Sequence, residues 1–299
     1  MAKQIYGFLN DLVFKAIFGC QKNERLLICL LNALLLLEGE SRLRSVVILN
    51  PFNLQEHLDD KLSILDVKAE DERGSRYNIE VQCMPHAAWV QRALFYLARL
   101  FVEQMSVGAD YAVLRACTGV SLLDFELFPD LPHLRNAWRF RRTGGNEELP
   151  GTLEWISVEL TKFGRDPAVD RQTRFGKWLR ALKWGDKLLE SGVTTDSDLL
   201  LEEGIAMAFK ELDRVNADRE LRYRIEAREK FEHVQATLLG SARREGLAEG
   251  EAKGRVEGQA EGRAEERKAL VQRLLATGKS VAEIAALTGW PEEEIGSYR

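Results

Sequence analysis

Cysteine and histidine are scarce in this sequence and stand apart from one another. Its four cysteines show no paired CxxC spacing, and its four histidines are scattered along 299 residues. A zinc site needs such ligands at short, paired spacings, and a disulfide framework belongs to small, cysteine-rich secreted domains. The sequence therefore indicates neither a zinc cluster nor a disulfide-stapled domain.

Long apolar runs and a targeting segment are also missing. The most apolar stretch, residues 26–37, contains Asn32 and is shorter than the roughly 20 residues that cross a bilayer as a helix. The N-terminus has no basic segment followed by the apolar core of a signal peptide. We therefore expect residues 26–37 to form a buried helix, and we expect a cytoplasmic protein with no membrane partner.

The chain as a whole lacks the positive charge that marks many DNA-binding proteins. With 42 Lys and Arg against 47 Asp and Glu, its formal net charge is −5. Positive charge is nevertheless concentrated between Arg135 and Lys183, where 11 residues are basic and 6 are acidic. Overall charge therefore does not identify a partner, whereas this segment has the local charge of a nucleic-acid-binding surface.

What the chain does have is a pair of strand-like segments that carry acidic side chains. Residues 62–69 are mostly apolar, and residues 77–82 alternate between apolar and polar side chains. The residues from Asp71 to Ser75 are typical of a turn, so the pattern predicts an antiparallel hairpin centred near Arg73. This register places Asp66 opposite Glu80.

Two facing carboxylates repel each other and favour a bound cation, and their hard oxygen atoms prefer Mg²⁺ or Mn²⁺. A metal held by Asp66 and Glu80 would polarise a phosphodiester and lower the pKa of an attacking water. A one-residue shift of register would put the two side chains on opposite faces of the sheet. Carboxylates on the solvated face of an ordinary hairpin are the alternative interpretation, which the spacing alone favours.

The order of Asp66, a hairpin turn and Glu80-Val81-Gln82 resembles the active-site motif of the PD-(D/E)XK nuclease superfamily. More narrowly, the chain resembles the recombination-promoting nuclease and transposase family called Rpn. The matching segments, in the family's order, are residues 10–19, 65–68, 78–82, 96–99, 108–111 and 158–162. Together they make a nuclease the favoured interpretation.

The resemblance implies an α/β fold in which helices flank a mixed central sheet, with a magnesium-dependent DNA endonuclease site on the hairpin. It implies that Asp66 and Glu80 bind the metal, Mg²⁺ or else Mn²⁺, and that the enzyme acts in DNA recombination or in mobile elements. Gln82 stands where relatives of the superfamily carry a lysine that activates the attacking water, and an amide brings no positive charge. The amide of Gln82 can still orient the water. If catalysis needs a cation, Lys68, on the same strand face as Asp66, is the candidate.

Asp11 begins a predicted amphipathic helix and has two interpretations. It either complements the helix dipole or supplies a third metal ligand, because the superfamily often takes an acidic group from its first helix.

Glu159 ends a predicted strand, and for it the structural interpretation is favoured over a role in the site. For the whole protein, the alternative is a catalytically weak or inactive DNA-binding or scaffold protein of the same fold.

The basic segment contains a predicted helix in which positive charge recurs every third residue, at Arg171, Arg174, Lys177, Arg180 and Lys183. Its apolar stripe is Phe175, Trp178, Leu179 and Leu182. Such a helix packs on one side and presents cations to DNA phosphates on the other, so reversing three of these charges should flatten the salt dependence of DNA binding. A solvated helix face is the alternative.

Helix-like and strand-like segments alternate along the first part of the chain, which favours an α/β fold. Helices are predicted within 10–37 and from 86 to about 105, and strands at 44–50, 111–116, 120–127 and within 136–160. The predicted domains are a nuclease-like domain at 1–192, a helical extension at 193–240, and an arm at 241–299.

The arm has a glycine at every fourth position, at 246, 250, 254, 258 and 262. Each glycine costs a helix roughly 1 kcal/mol relative to alanine, so an isolated helix here is marginal. The arm is then either a flexible linker or a helix that a second copy of the chain orders by self-association. Self-association is the favoured interpretation. Residues 280–295 are typical of a small helix-turn-helix module, but Glu292, Glu293 and Glu294 would repel phosphates and favour a protein partner.

Overall fold

The computed structural model describes residues 4–52, 66–149, 151–192 and 197–298. Six strands form one mixed sheet in the order β1-β2-β3-β4-β6-β5, in which β3, β4 and β6 are parallel and the other pairs are antiparallel. The strands are β1 (Val46–Ile48), β2 (Val67–Asp71), β3 (Arg76–Gln82), β4 (Cys117–Leu123), β5 (Arg135–Arg139) and β6 (Leu153–Glu159). The α/β fold with a mixed central sheet is thus confirmed.

Helices of the first part of the chain pack on both faces of this sheet. The described helices are α1 (Asp11–Phe18), α2 (Glu24–Leu34), α3 (Trp89–Val102), α4 (Arg174–Glu190), α5 (Ser197–Leu200), α6 (Ile205–Ala217), α7 (Arg219–Ala276), α8 (Val281–Thr288) and α9 (Glu292–Ser297). No helix among the described residues is long and apolar enough to cross a membrane.

The alternation of side chains along the strands divides the apolar core into two layers. On one face of the sheet, Ile79, Val120 and Ile156 pack in a large cluster with residues of α1, α2, α4 and α6. On the other face, Trp155 packs in a smaller cluster with α3, which connects β3 to the parallel strand β4. Asn78 and Glu80 belong to this second face, because they alternate with Ile79.

Most of the elements predicted from the sequence are present, with shorter bounds. The apolar stretch 26–37 contains most of α2, and between Leu26 and Leu34 every residue except Ile28 is buried, so the predicted buried helix is confirmed. The start of the predicted hairpin strand, 62–65, lies outside the described residues. The predicted strand at 111–116 is wrong: Asp110 Oδ1 accepts a hydrogen bond from the Ala112 N–H and begins a 3₁₀ turn, Tyr111–Val113. A side chain that caps a turn in this way competes with strand pairing.

Residues after 197 contribute to the core around the sheet. Phe209 lies edge-on to Phe8 with 5.5 Å between the ring centroids. The Asn216 side chain accepts a hydrogen bond from the Tyr6 N–H at 2.8 Å and donates one to the Tyr6 carbonyl at 2.9 Å. Helices of the predicted extension, 193–240, therefore pack with the sheet-bearing part of the chain. Two compact units are present, Met1–Arg228 and Glu229–Arg299.

The second unit consists of most of α7 together with α8 and α9. Val271, Ile284 and Ile295 are its fully buried residues, one from each helix. A capping box between Ser280 and Glu283 begins α8, and Gly289, with a φ of 73°, ends it and allows the sharp turn towards α9. The five glycines of the arm all lie within α7, and a Cβ at any of them would meet no atom within 4 Å.

Candidate active site

The β2–β3 hairpin brings the two predicted acidic residues together. Val67 pairs with Ile79 and Lys68 with Asn78, which confirms the predicted register, and one further step along both strands places Asp66 beside Glu80. The side chains of both acidic residues are held away from solvent, since Asp66 is 5% exposed and Glu80 is 6% exposed. The two carboxyl groups are close enough to interact electrostatically, because the charge of Asp66 raises the pKa of Glu80.

Asp66 is fixed in position by neighbours from α1 and from the segment after β1. Asn50 Nδ2 donates to Asp66 Oδ1 at 3.1 Å, and Asn50 Oδ1 accepts a hydrogen bond from the Lys68 N–H at 2.7 Å. The Lys15 ammonium donates to the backbone carbonyls of both Asn50 and Asp66. Burial raises the pKa of Asp66, and the charges of Lys15 and Lys68 oppose this effect. Asp66 is therefore a buried carboxyl group with a fixed orientation.

Glu80 is a buried carboxyl group with only half of its hydrogen-bonding capacity used. Asn78 Nδ2 donates to Glu80 Oε1 at 2.8 Å, whereas Glu80 Oε2 has no hydrogen-bond partner within the described ranges. Burial raises the pKa of Glu80 to about 7, with Arg92 lowering it and Asp66 raising it. Because a buried, unpaired carboxylate oxygen is costly, this atom is a ready-made ligand for a cation.

The donor set fits a hard divalent cation that keeps part of its water shell. In the described part of the chain, no group of three or more His, Cys, Asp or Glu side chains is placed to hold a metal. Mg²⁺ does not need such a cage, since it commonly binds through one or two carboxylates and retains several waters. Asp66 and Glu80 provide two carboxylates, one of which has an unpaired buried oxygen.

The sequence of the chain matches the model of one known protein family. The family model described as PD-(D/E)XK nuclease family transposase matches residues 8–242. The chain belongs to this family. No curated protein and no solved structure gives a significant match. The resemblance identified from the sequence is therefore confirmed, and the family indicates a nuclease-like protein whose relatives in the superfamily generally use divalent metals.

Other site residues predicted for this PD-(D/E)XK family member have partners outside the carboxylate pair. Lys68 Nζ lies 3.0 Å from Glu103 Oε2 of α3, and Gln82 Nε2 donates to the Met84 carbonyl at 2.9 Å. Neither side chain has a hydrogen bond to Asp66 or Glu80 among those of the described residues, and the catalytic roles of Lys68 and Gln82 stay predictions. The Glu103 contact could not be predicted from the sequence, because it depends on how α3 packs.

Asp11 has a partner that the sequence analysis did not anticipate. Its Oδ2 lies 2.8 Å from a guanidinium nitrogen of Arg228, and its Oδ1 accepts a hydrogen bond from the Leu12 N–H at 2.7 Å. Metal binding by Asp11 would require this ion pair to open, so its role as a third ligand in the nuclease family site stays a prediction.

Glu159 occupies a structural position at the end of β6. It is fully buried, and its Oε2 accepts hydrogen bonds from the Leu127 and Phe128 N–H groups and lies 3.0 Å from Lys162 Nζ. These contacts tie the segment after β4 to β6, which agrees with the structural interpretation of Glu159.

The predicted DNA-binding helix is α4, and its apolar stripe is buried as expected. The prediction that Arg171 belongs to this helix is wrong, because the Thr173 side chain caps the helix by accepting a hydrogen bond from the Gly176 N–H and Arg171 lies in the turn before it. Two of the predicted cations have intramolecular partners: Arg174 Nε lies 3.2 Å from Glu202, and the Arg171 guanidinium lies 5.8 Å from the centroid of the Phe163 ring. Lys177 and Arg180 are half-buried. Lys183 donates to the Leu160 carbonyl at 2.6 Å. Phosphate binding by Arg171, Arg174, Lys177 and Arg180 stays a prediction.

Three residues near the site were missed by the sequence analysis: Lys15, Asn50 and Arg92. Lys15 had a visible signal, since it interrupts the apolar run Val13-Phe14-Lys15-Ala16-Ile17 and is only 2% exposed. A lysine on the buried side of a helix must find acceptors there. Asn50 and Arg92 gave no such signal, because only the packing of their segments against the hairpin brings them near the carboxylates.

Proposed function

We propose that the protein is a metal-dependent DNA endonuclease that hydrolyses phosphodiester bonds, with Mg²⁺, or Mn²⁺ in its place, bound by Asp66 and Glu80. The observation that carries this proposal is the unpaired oxygen of Glu80, which is buried beside the second buried carboxyl group of Asp66. Membership in a nuclease family of transposases supports DNA as the substrate and links the activity to recombination or mobile elements.

The bound metal would supply positive charge that stabilises the phosphate in the transition state and lowers the pKa of the attacking water. Asp66 and Glu80 would hold it, and the hydrogen bond from Asn50 would keep Asp66 in a fixed orientation. The Gln82 amide would orient the attacking water after breaking its hydrogen bond to the Met84 carbonyl. Lys68 would contribute its charge after releasing Glu103, and Asp11 would become a third ligand after releasing Arg228.

Incubation of the purified protein with supercoiled plasmid tests this proposal. We expect the protein to nick or linearise the plasmid with MgCl₂ or MnCl₂ and not to cleave it with a chelator. Asp66→Ala should cleave under neither condition, because the metal would be left with one carboxylate ligand. Glu72→Ala, which removes an exposed carboxylate from the turn of the same hairpin, is the matched control and should cleave like the unmodified protein.

The result also separates the two functions that the fold allows. DNA retention without cleavage at any metal concentration would favour the catalytically weak binding or scaffold protein, in which Gln82 marks a lost activity. Cleavage that persists in Asp66→Ala would contradict the proposed site. For DNA binding we propose a basic surface formed by Arg171, just before α4, and by Arg174, Lys177 and Arg180 of α4, which a salt titration of affinity tests.

We also propose that the glycine-repeat arm within α7 associates with a second copy of the chain. A long, polar, exposed helix with a glycine at every fourth position has little intrinsic stability, and the glycines leave room for close approach of another backbone. An arm of this kind gains order from a partner.

Substituting alanine at Gly250, Gly254 and Gly258 distinguishes this association from a linker. Each alanine favours the helix by roughly 1 kcal/mol, so a simple linker would become more helical with no change in mass. If the glycines allow close contact between two arms, the substitutions should convert a dimer into a monomer in light scattering. A monomeric unmodified protein, with the same mass after deletion of residues 241–299, would contradict self-association.

A further inference from the structure

Four buried polar atoms on β3 and on α3, two elements that pack against each other, have no hydrogen-bond partners among the described residues. Two are acceptors on β3, Asn78 Oδ1 and Glu80 Oε2, and two are donors on α3, Trp89 Nε1 and Arg92 Nε. Buried polar groups are nearly always paired, so unpaired donors and acceptors on two elements in contact indicate a ligand that would bridge them. The acceptors suit a metal ion, and the donors suit an anion.

Arg92 is the cation of this group, and aromatic rings hold it in place. Its guanidinium carbon lies 5.3 Å from the ring centroid of Trp89 and 5.7 Å from that of Tyr96. Ring stacking of this kind orients a guanidinium while leaving its N–H groups available for other partners. The charge of Arg92 is also near enough to Glu80 to act on its carboxyl group.

Two other cations near α3, Lys68 and Arg99, are already paired with a carboxylate. Lys68 Nζ lies 3.0 Å from Glu103 Oε2, and Arg99 Nε lies 2.7 Å from Glu103 Oε1. Arg92 differs from both, because no ion pair joins it to a carboxylate in the described part of the chain. A positive charge held beside an acidic metal site without a carboxylate partner is suited to an anion that arrives with the substrate.

We propose that Arg92 is a catalytic residue that contacts the scissile phosphate and supplies the positive charge that Gln82 does not. This inference rests on the proposed function. A guanidinium presents paired N–H donors that match the oxygens of a phosphate, and donors placed where negative charge develops stabilise the transition state. Asp66 and Glu80 would hold the metal that contacts the phosphate, and Arg92 would bind the same phosphate from α3. No bond to Arg92 forms or breaks.

The experiment compares Arg92→Ala, Arg92→Lys and a control, Arg99→Ala, which removes a cation two helical turns further along α3. We expect Arg92→Ala to lower kcat for plasmid cleavage by about 10²- to 10³-fold, the usual cost of losing one such donor, with a smaller change in KM. Arg92→Lys should recover part of kcat, because it keeps the charge but loses the paired donors. Arg99→Ala should stay within about twofold of the unmodified protein, as expected for an exposed ion pair.

Titration of Mn²⁺ binding separates catalysis from structural damage. Arg92→Ala should bind Mn²⁺ as tightly as the unmodified protein or more tightly, because a positive charge next to the ligands has been removed. A variant that loses metal binding and cleavage together would show a structural role and overturn the inference, as would a kcat within threefold of the unmodified value. Absence of cleavage by the unmodified protein would overturn the proposed function, and this inference with it.

Discussion

Replacing Glu80 with glutamine is expected to reduce metal-dependent cleavage by about 10³-fold, because the metal loses one of its two carboxylates and with it several kcal/mol of charge stabilisation. The same change should not weaken the fold. Glutamine has the shape of glutamate, and its amide can donate a hydrogen bond to Asn78 Oδ1, which is buried and unpaired within the described ranges.

We therefore expect the metal-free Glu80→Gln variant to be as stable as the unmodified protein or more stable by about 1 kcal/mol, the usual net value of a hydrogen bond. Urea denaturation in the presence of chelator, at pH 8, measures this difference. Opposite effects on activity and stability are typical of a group kept for function at a cost to the fold.

Glu70→Gln is the matched control for this prediction. Glu70 lies on β2 of the same hairpin and pairs with Arg76 at 2.8 Å at the surface, so its replacement should change neither cleavage nor stability appreciably. Cleavage retained by Glu80→Gln would contradict metal binding by Glu80. A metal-free variant clearly less stable than the unmodified protein would show that the carboxylate has a structural partner.

Replacing Lys15 with methionine is expected to lower the free energy of unfolding by about 2 to 6 kcal/mol. The Lys15 ammonium donates to the carbonyls of Asn50 and Asp66, and methionine would leave both acceptors in the interior without this donor, at about 1 to 3 kcal/mol each. The loss should also move Asp66, and a shift of about 1 Å in a ligand can reduce the rate by about 10²-fold. Urea denaturation and plasmid cleavage at saturating metal measure the two effects.

Lys22→Met provides the comparison for Lys15. Lys22 is exposed and lies 3.7 Å from Glu211, so its replacement should change the stability by less than about 1 kcal/mol. Equal stability of Lys15→Met and Lys22→Met would contradict the anchoring role of Lys15. Full cleavage by Lys15→Met would show that Asp66 keeps its position without this lysine.

The hairpin and its register could be predicted because the information lies within a short stretch of sequence. Alternation fixes which side chains share a face, and the turn residues fix where the chain reverses, so Asp66 and Glu80 follow from local rules. The same reasoning placed Phe175, Trp178, Leu179 and Leu182 on the buried side of α4, where the structure has them.

The partners of these residues could not be predicted, because they come from distant parts of the chain. Lys15 reaches Asp66 from α1, Glu103 pairs with Lys68 from α3, and Arg228 pairs with Asp11 from α7. Charge and spacing along the sequence contain no information about these contacts. Local rules also failed where a side chain competes with the backbone, as at Asp110, which caps a turn where a strand was predicted.

Anomalous diffraction from crystals soaked in MnCl₂ tests most directly whether Asp66 and Glu80 share one divalent ion. The account predicts a single manganese peak within about 2.0 to 2.3 Å of Glu80 Oε2 and of a carboxylate oxygen of Asp66, the distances of hard oxygen ligands. The peak should be absent in Glu80→Gln crystals treated in the same way. A manganese ion bound only elsewhere, or no manganese peak between Asp66 and Glu80 in a protein that cleaves DNA, would contradict this account.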